Sequence, residues 1–401
     1  MKYIIVLGDG MADEPLAAYN GKTPLQMADK PYIDSLAKKG RAGLLKTVPD
    51  DMPPGSEIAN MAVLGYDVSS VFEGRGVLEA ASIGVKLEEN DLALRCNLIC
   101  LEDGNIKNHS AGHISNDESY ELIDFLNKKL GNDLIKFYPG VSYRHLLVIK
   151  NGKKQVNCTP PHDVPGKPFR SCMVKAENNL AEETAKLLNY LILRSQALLA
   201  DHPVNRKRKE AGKDIANSIW PWSPGYKPQM PTLKELFGIS KSAVISAVDL
   251  IQGIGVYAGM DVIKVEGATG LYDTNYEGKA KATIDALRDH DLVYLHVEAS
   301  DEAGHEGNVE LKTRTISYLD ARIVKYLVEE TEKMQEPVTI AVLPDHPTPC
   351  ATKIHTRDAV PFIIHKPGET PDAVQFYDEF EVKKGAYGLL SGDEFMKALL
   401  S

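Results

Sequence analysis

The chain has 401 residues, 43% of them apolar, and a formal net charge of −10. That length and apolar content allow two domains with a real core, and the acidic balance argues against a partner with a nucleic-acid backbone. Five cysteines without a C-x-x-C pair fit free thiols in a reducing compartment. With no signal-peptide core and no apolar run of membrane length, the chain reads as cytoplasmic, without a membrane partner.

MKYIIVLGDG opens with a buried strand over Tyr3–Leu7 that delivers Asp9 into a glycine-flanked loop, where backbone can approach a ligand closely. PPGSEIANMAVLGYD at 53–67 sets Ser56 after a Pro-Pro-Gly turn, at the start of an apolar helical stretch. There its hydroxyl and the neighbouring N–H groups would face a phosphate, with an ordinary helix N-cap as the other reading. The texture changes over 88–227. NLICLEDGNIKNHS and SYRHLLVIKNGKKQ read as strands joined by Asp-Gly and Asn-Gly turns, with helices near 116–130 and 176–199. An inserted α+β domain over 88–227 follows, with 1–87 and 228–401 forming the other domain. WPWSPGYKPQMP at 220–231 is too rich in proline and tryptophan for regular structure and is expected to be a linker or lining loop.

From 243 onward strands alternate with helices: AVISAV at 243–248, a helix near 276–289, LVYLHV at 292–297, a helix around 312–331, and VTIAVL at 338–343. The long helix carries Ile316, Leu319, Ile323 and Leu327 on one stripe. This alternation predicts an α/β fold with a doubly wound, mostly parallel sheet. GIGVYA at 253–258 fits the dinucleotide pattern, but no acidic residue closes a second strand about twenty residues beyond it, so nicotinamide binding is set aside.

Two acid–histidine clusters accompany the last two strands, HVEASDEAGH at 296–305 and LPDHPTPCATKIH at 343–355. They place Asp301, His305, Asp345, His346 and His355 at the carboxyl ends of buried strands, where α/β sheets put their chemistry. Asp301 and His305 alone would read as a solvated pair one helical turn apart. Repetition after a second strand makes the set a binder of divalent transition metals, and Asp9 belongs with it. A serine hydroxyl needs a base or a metal to ionise it, which a two-metal site would supply to Ser56.

Asp9 in GDG, Ser56 in GSE, Asp301 and His305 in D-x-x-x-H, the Asp345-His346 pair and His355 in KIHTRDAVPF together resemble the alkaline phosphatase superfamily. Within it the chain resembles cofactor-independent phosphoglycerate mutase of the archaeal type, with its shorter inserted domain. KTPLQMADKPYIDSLAKKGRAGLLKTVP, GRGVLEAASIGV, GVSYRH, HPVNRKR and EGATGLYDTNYEGKA occur in family order along nearly the full length. The resemblance implies an alkaline phosphatase-like catalytic domain and two divalent ions. One would be held by Asp301, His305 and His355, the other by Asp9, Asp345, His346 and Ser56. It also implies that Ser56 takes the phosphate of 3-phosphoglycerate and returns it to the 2-hydroxyl of bound glycerate, with neither ATP nor bisphosphoglycerate. Mixed imidazole and carboxylate donors suit Mn²⁺, Zn²⁺ or Co²⁺.

The inserted domain is expected to bind the phosphorylated carboxylic acid through cationic and acid–base groups, with His109, Arg144, His145, His162, Asp163 and Arg208 as candidates. One segment departs from the family pattern. Where a leucine-rich run ending in Arg-Gly is expected, the chain reads SIWPWSPG at 218–225, with Trp222 near the expected arginine. An aromatic-lined pocket would suit another acceptor, which keeps a homoserine kinase open as an alternative, and poor exclusion of water would make the same site a phosphomonoester hydrolase.

Overall fold

The computed structural model describes residues 1–401. The chain divides into two compact units, Met1–Phe72 with Met230–Ser401, and Glu73–Gln229. Residues 73–87, assigned to the first domain from sequence, group with the second unit because the helix Arg75–Ser82 packs on the strand Asp91–Glu102. Gly76 is close enough there that a Cβ would lie 2.9 Å from the Arg95 backbone nitrogen.

The first unit is built on an eight-stranded sheet in the order 261–262, 242–245, 292–297, 2–8, 338–343, 360–365, 41–46, 388–391. Only the Val360–His365 strand runs against the rest, so the sheet is mostly parallel, as expected. The central strands are buried on both faces, which is why they read as continuous apolar runs. On one face Ile4, Val6, Val293, Leu295, Ile340 and Val342 share a core with Ile316, Leu319, Ile323 and Leu327. That apolar stripe lies on a continuous helical stretch whose middle, Leu319–Val324, is a π-helix.

The π-turn carries Asp320, which is fully buried. The helix Pro31–Lys39 has no side-chain cap of its own at Lys30, and Asp320 Oδ1 supplies one by accepting from the Ile33 N–H at 2.7 Å. Burial, reinforced by Asp34 and Asp29, pushes the Asp320 carboxyl up to about 6. A raised folded-state value means that this residue's contribution to stability is complete below the unfolded value near 4 and is lost as pH rises through about 6. The melting temperature of the wild type relative to Asp320→Asn should therefore fall between pH 4.5 and 7. A pH-independent difference would remove Asp320 as its source.

The second unit holds a five-stranded sheet in which Asp91–Glu102 pairs antiparallel with Asn105–Asn108, Arg144–Lys150 and Ser218–Gly225, and Arg144–Lys150 pairs with Ile135–Val141. The Asp103-Gly104 turn closes its hairpin as expected, with φ of 51° and 77°. Asn151-Gly152 does not close one. The Arg144–Lys150 strand takes its hairpin partner from upstream, while Val156–Asn157 pairs with Lys175–Ala176. The helix Asn116–Leu130 starts at a Ser115–Glu118 capping box, and with Glu182–Leu199 it buries Leu122, Ile123, Leu126, Leu188, Leu191 and Ile192 in this unit's own core.

SIWPWSPG is the main correction to the sequence reading: Ser218–Gly225 is a strand. Between the pairs Ala93↔Gly225 and Arg95↔Trp222 the register shifts, leaving Ser223, at φ 53°, and Pro224 opposite Leu94. A bulge of this kind accommodates a proline that a regular ladder would reject. GIGVYA lies within the helix Asp249–Tyr257 and its end rather than in a phosphate loop, and Gly255 is needed because a Cβ would meet Val244 Cγ1 at 2.4 Å.

Candidate metal centre

Three adjacent parallel strands, Leu292–Val297, Lys2–Gly8 and Val338–Leu343, end side by side. Beyond their carboxyl ends come the helix Ala299–Glu306 with Asp301 and His305, the loop with Asp9, and the loop with Asp345, His346 and His355. The expected side chains do converge here. Ligand atoms of Asp9, Asp345 and His346 lie within 4.8 Å of one another, as do those of Asp301, His346 and His355, so His346 stands between the two groups. His305 completes the second group, its Nε2 at 3.2 Å from Asp301 Oδ2 and 2.9 Å from His355 Nε2.

Hydrogen bonds orient most of these donors. Asp345 Oδ1 accepts from the N–H groups of Gly10 at 3.2 Å and His346 at 2.9 Å. Gly10 must be glycine, for at φ 61° a Cβ would lie 2.5 Å from Asp301 Oδ1. The Thr348 hydroxyl donates to Asp301 Oδ1 and so accepts from His346 Nδ1 at 3.3 Å, which leaves His346 Nε2 as a lone pair. His305 Nδ1 donates to the Lys353 carbonyl at 2.9 Å, freeing its Nε2 in the same way. Ser56 is the first residue of the helix Ser56–Val63, capped by Gly55 rather than by the serine itself, and its Oγ lies 3.1 Å from His346 Nε2.

The electrostatics call for cations. Burial, followed by the charges of Asp345, Asp301 and Glu298, drives the Asp9 carboxyl well above the usual range, and Asp9 Oδ1 has no hydrogen-bond partner although buried. Burial also opposes ionisation of Asp301, yet hydrogen bonds from His305 and His355 hold it well below the ordinary value. Contact with Asp301 pushes His305 up to about 9. Two imidazole nitrogens 2.9 Å apart need a shared proton or a cation between them. An orphaned carboxylate oxygen, crowded acids and facing lone pairs fit divalent ions at both groups.

Sequence reasoning missed the residues behind these ligands. Asn60, fully buried on the Ser56 helix, donates through Nδ2 to Asp345 Oδ2 and to the Ser56 carbonyl, both at 2.8 Å, and accepts from the Tyr294 hydroxyl at 2.5 Å. Lys312, also fully buried, donates to Asp13 Oδ2 at 2.8 Å, Ala12 O at 2.9 Å and Thr348 O at 2.8 Å, tying the Asp9 loop to the His346 loop. Breaking such a buried pair from one side costs about 3–5 kcal/mol.

His296 was the most legible of the missed residues, because it opens the HVEASDEAGH cluster beside Leu7 on the neighbouring strand. Burial lowers its imidazole to about 3, so it is neutral. His296 Nε2 faces Asp9 Oδ2 at 2.9 Å, and a carboxylate oxygen only accepts, so the neutral ring carries its proton on Nε2 and Nδ1 accepts from the Ser246 hydroxyl at 3.2 Å, whose oxygen accepts in turn from Val248 N at 3.0 Å. Asp9 Oδ1 is left for a metal. His296→Phe should weaken an ion at Asp9, Asp345 and His346 by roughly 10–100-fold, with His296→Gln restoring part of the loss. Metal titration with elemental analysis checks this, and unchanged affinity in the Phe variant would leave His296 a packing residue.

In the second unit the candidate substrate residues separate. His109, His162 and Asp163 lie near Trp222: His109 and His162 rings are 6.0 Å apart, His162 is 5.2 Å from Trp222, and His162 Nε2 is 3.6 Å from Asp163. Burial, with His162 and His113 adding repulsion, lowers His109, and burial likewise lowers His162. Arg144 is exposed, its guanidinium 5.9 Å from the Tyr143 ring centre. His145 and Arg208 are buried, each 2% exposed. His145 Nδ1 accepts from Gly140 N at 3.1 Å, and all three Arg208 nitrogens are bound within the protein. Trp222 stands where an arginine was expected, but its cross-strand partner Arg95 holds a guanidinium 4.7 Å over the indole, ion-paired to Glu79 at 3.0 Å. The neighbouring strand thus supplies a cation beside that position.

Residues 37–205 match the family described as 2,3-bisphosphoglycerate-independent phosphoglycerate mutase. The protein of that name from Methanosarcina mazei is 50% identical, the alignment covering 100% of both chains. Among solved structures, a protein from Pyrococcus horikoshii superposes with a TM-score of 0.84 at 29% identity, covering 100% of this chain and 96% of that one. The cofactor-independent phosphoglycerate mutase of Thermoplasma acidophilum gives 0.70 at 26% identity, with coverage of 100% and 99%. No helix is long and apolar enough to cross a membrane. With half its residues identical to a full-length relative of that name, the chain belongs to the 2,3-bisphosphoglycerate-independent phosphoglycerate mutase family.

Proposed function

We propose that the protein interconverts 3-phosphoglycerate and 2-phosphoglycerate without bisphosphoglycerate, with Ser56 as the phosphate carrier. The observation that carries this reading is the Ser56 hydroxyl, 3.1 Å from His346 Nε2 at the first turn of a helix, beside the Asp9, Asp345 and His346 group. Two divalent ions, Mn²⁺, Zn²⁺ or Co²⁺, held by Asp301, His305 and His355 and by Asp9, Asp345, His346 and Ser56, would acidify the serine and offset phosphate charge.

Ser56 Oγ attacks phosphorus in line with the ester oxygen on C3. The P–O bond to that oxygen breaks, the serine gives up its proton, and the departing glycerate alkoxide takes one up. Glycerate then presents its 2-hydroxyl, which attacks the phosphoserine; the bond from phosphorus to Ser56 Oγ breaks and the serine is reprotonated. No water is consumed. The positive end of the Ser56 helix favours the phosphate at each stage. The carboxylate end of glycerate calls for cations, and Arg95, Arg144, His109 and His162 of the second unit have that chemistry.

Metal-loaded protein given 3-phosphoglycerate should form 2-phosphoglycerate, followed by coupling to enolase, with no added bisphosphoglycerate. Absence of turnover across several divalent metals would overturn the reading. ATP-dependent formation of phosphohomoserine would support the kinase alternative, and release of phosphate from unrelated esters would support a hydrolase.

A further inference from the structure

The second unit makes an unusual turn at Ala111, Gly112 and His113, three consecutive residues with φ of 47°, 62° and 50°. Glycine tolerates that region, whereas alanine has neither the freedom nor a polar side chain to offset it. Ala111 is nonetheless fully buried, and its carbonyl accepts from Arg208 Nη2 at 2.6 Å. Arg208 also donates from Nε to the Asp214 carbonyl and from Nη1 to Glu118 Oε2, each at 2.7 Å. Asn108 clasps the same turn, its Oδ1 accepting from Ser110 N at 3.1 Å and Gly112 N at 3.0 Å while its amide donates to the Asp214 carboxylate. Two imidazoles ride on this turn. His109 and His113 stand edge-on to Tyr143, with ring centres 5.7 Å and 6.1 Å away.

We propose that Arg208 is a positioning residue whose guanidinium clamps the left-handed Ala111–His113 turn and so sets His109 and His113 against Tyr143. Its consequence for turnover, which rests on the mutase reading above, is that these imidazoles meet the phosphorylated acid in a fixed geometry. The clamp requires arginine, because a rigid planar fork spreads its donors over three nitrogens and reaches acceptors on different sides of the group, whereas the three donors of a lysine ammonium radiate from one nitrogen. Arg208 then acts through the turn: its side chain is 2% exposed, and each of its three nitrogens already donates to an acceptor of the protein.

The test uses full-length, metal-loaded protein as wild type, Arg208→Lys, and Arg208→Lys combined with Ala111→Gly, which relieves the left-handed alanine. Amide exchange at Gly112 and His113, the imidazole NMR resonances of His109 and His113, metal content, and kcat and KM for 3-phosphoglycerate are measured. Arg208→Lys should speed exchange roughly tenfold or more, shift both imidazoles and impair turnover of 3-phosphoglycerate with metal content unchanged. Ala111→Gly should recover much of that loss. Glu118→Gln keeps the Ser115 capping box but removes the charge on one arm of the clamp, and should act in the same direction if Arg208→Lys does not fold. Unchanged exchange and resonances overturn the clamp. Impaired turnover without those changes overturns it in favour of direct substrate contact, and faster exchange with unchanged kinetics overturns the positioning role. A wild type that fails to isomerise 3-phosphoglycerate sinks the mutase reading, while exchange and resonances still decide the clamp.

Discussion

Ser56→Ala is expected to lower isomerisation by a factor on the order of 10⁴ or more and to abolish any phosphoenzyme, because it removes the atom proposed to carry phosphate between the two glycerate oxygens. The fold should be nearly indifferent. Gly55, not Ser56, caps the helix, and the serine hydroxyl is bonded to His346 Nε2. Its loss should change stability by no more than about 1 kcal/mol. Rapid quench with ³²P-labelled substrate, set beside a thermal melt, separates the two effects. A variant that retained a substantial fraction of wild-type turnover with an intact melt would reduce Ser56 to an ordinary helix residue.

The strands that build the metal centre were legible because they are buried on both faces, so Tyr3–Leu7, Leu292–Val297 and Val338–Leu343 stand out as unbroken apolar runs. Asp-Gly at 103–104 and Ser115 with Glu118 were legible because turn and cap chemistry is local. Ser218–Gly225 was not, since two prolines and two tryptophans argue locally for a loop, and only the bulge opposite Leu94 shows how a ladder accommodates them. Nor does a sequence pattern show that Leu319–Val324 widens into a π-helix, which delivers Asp320 to a helix start 287 residues away along the chain.

The same distinction divides the site. Asp9, Ser56, Asp301, His305, Asp345, His346 and His355 sit in short motifs whose order is informative before any contact is known. Arg208 was a candidate substrate residue because it is a cationic group in a turn-like segment of the inserted domain. Its real partners, Glu118 and Ala111, lie 90 and 97 positions away, and nothing local announces them. His296 needed the register Leu7↔His296 before its ring could be placed against Asp9.

The two acid–histidine clusters should be separable by substitution. Asp301→Asn and Asp345→Asn each replace an anionic donor with a neutral amide of the same shape, so each variant should lose about one ion per chain and more than roughly 100-fold in turnover. Their side effects should differ. Asp301 Oδ1 accepts from Thr348 and Oδ2 faces His305, so an asparagine there disturbs mainly the exposed histidine group. Asp345 Oδ1 accepts from two backbone N–H groups, which obliges the amide nitrogen introduced by Asp345→Asn to replace Oδ2 and to face the Asn60 Nδ2 donor. Two donors cannot satisfy each other. Turning Asn60 over would cost its bond to the Ser56 carbonyl and leave its nitrogen facing the Tyr294 hydroxyl. Asp345→Asn should therefore loosen the Ser56 helix as well as lose metal, and adding Asn60→Asp, which turns the facing donor into an acceptor and keeps the acceptor for Tyr294 but gives up the bond to the Ser56 carbonyl, should recover part of the melting temperature without restoring the ion. Elemental analysis and melting of the single and double variants test the scheme. Two ions still bound in both single variants, or no recovery of stability in the double variant, would contradict the roles given to these carboxylates.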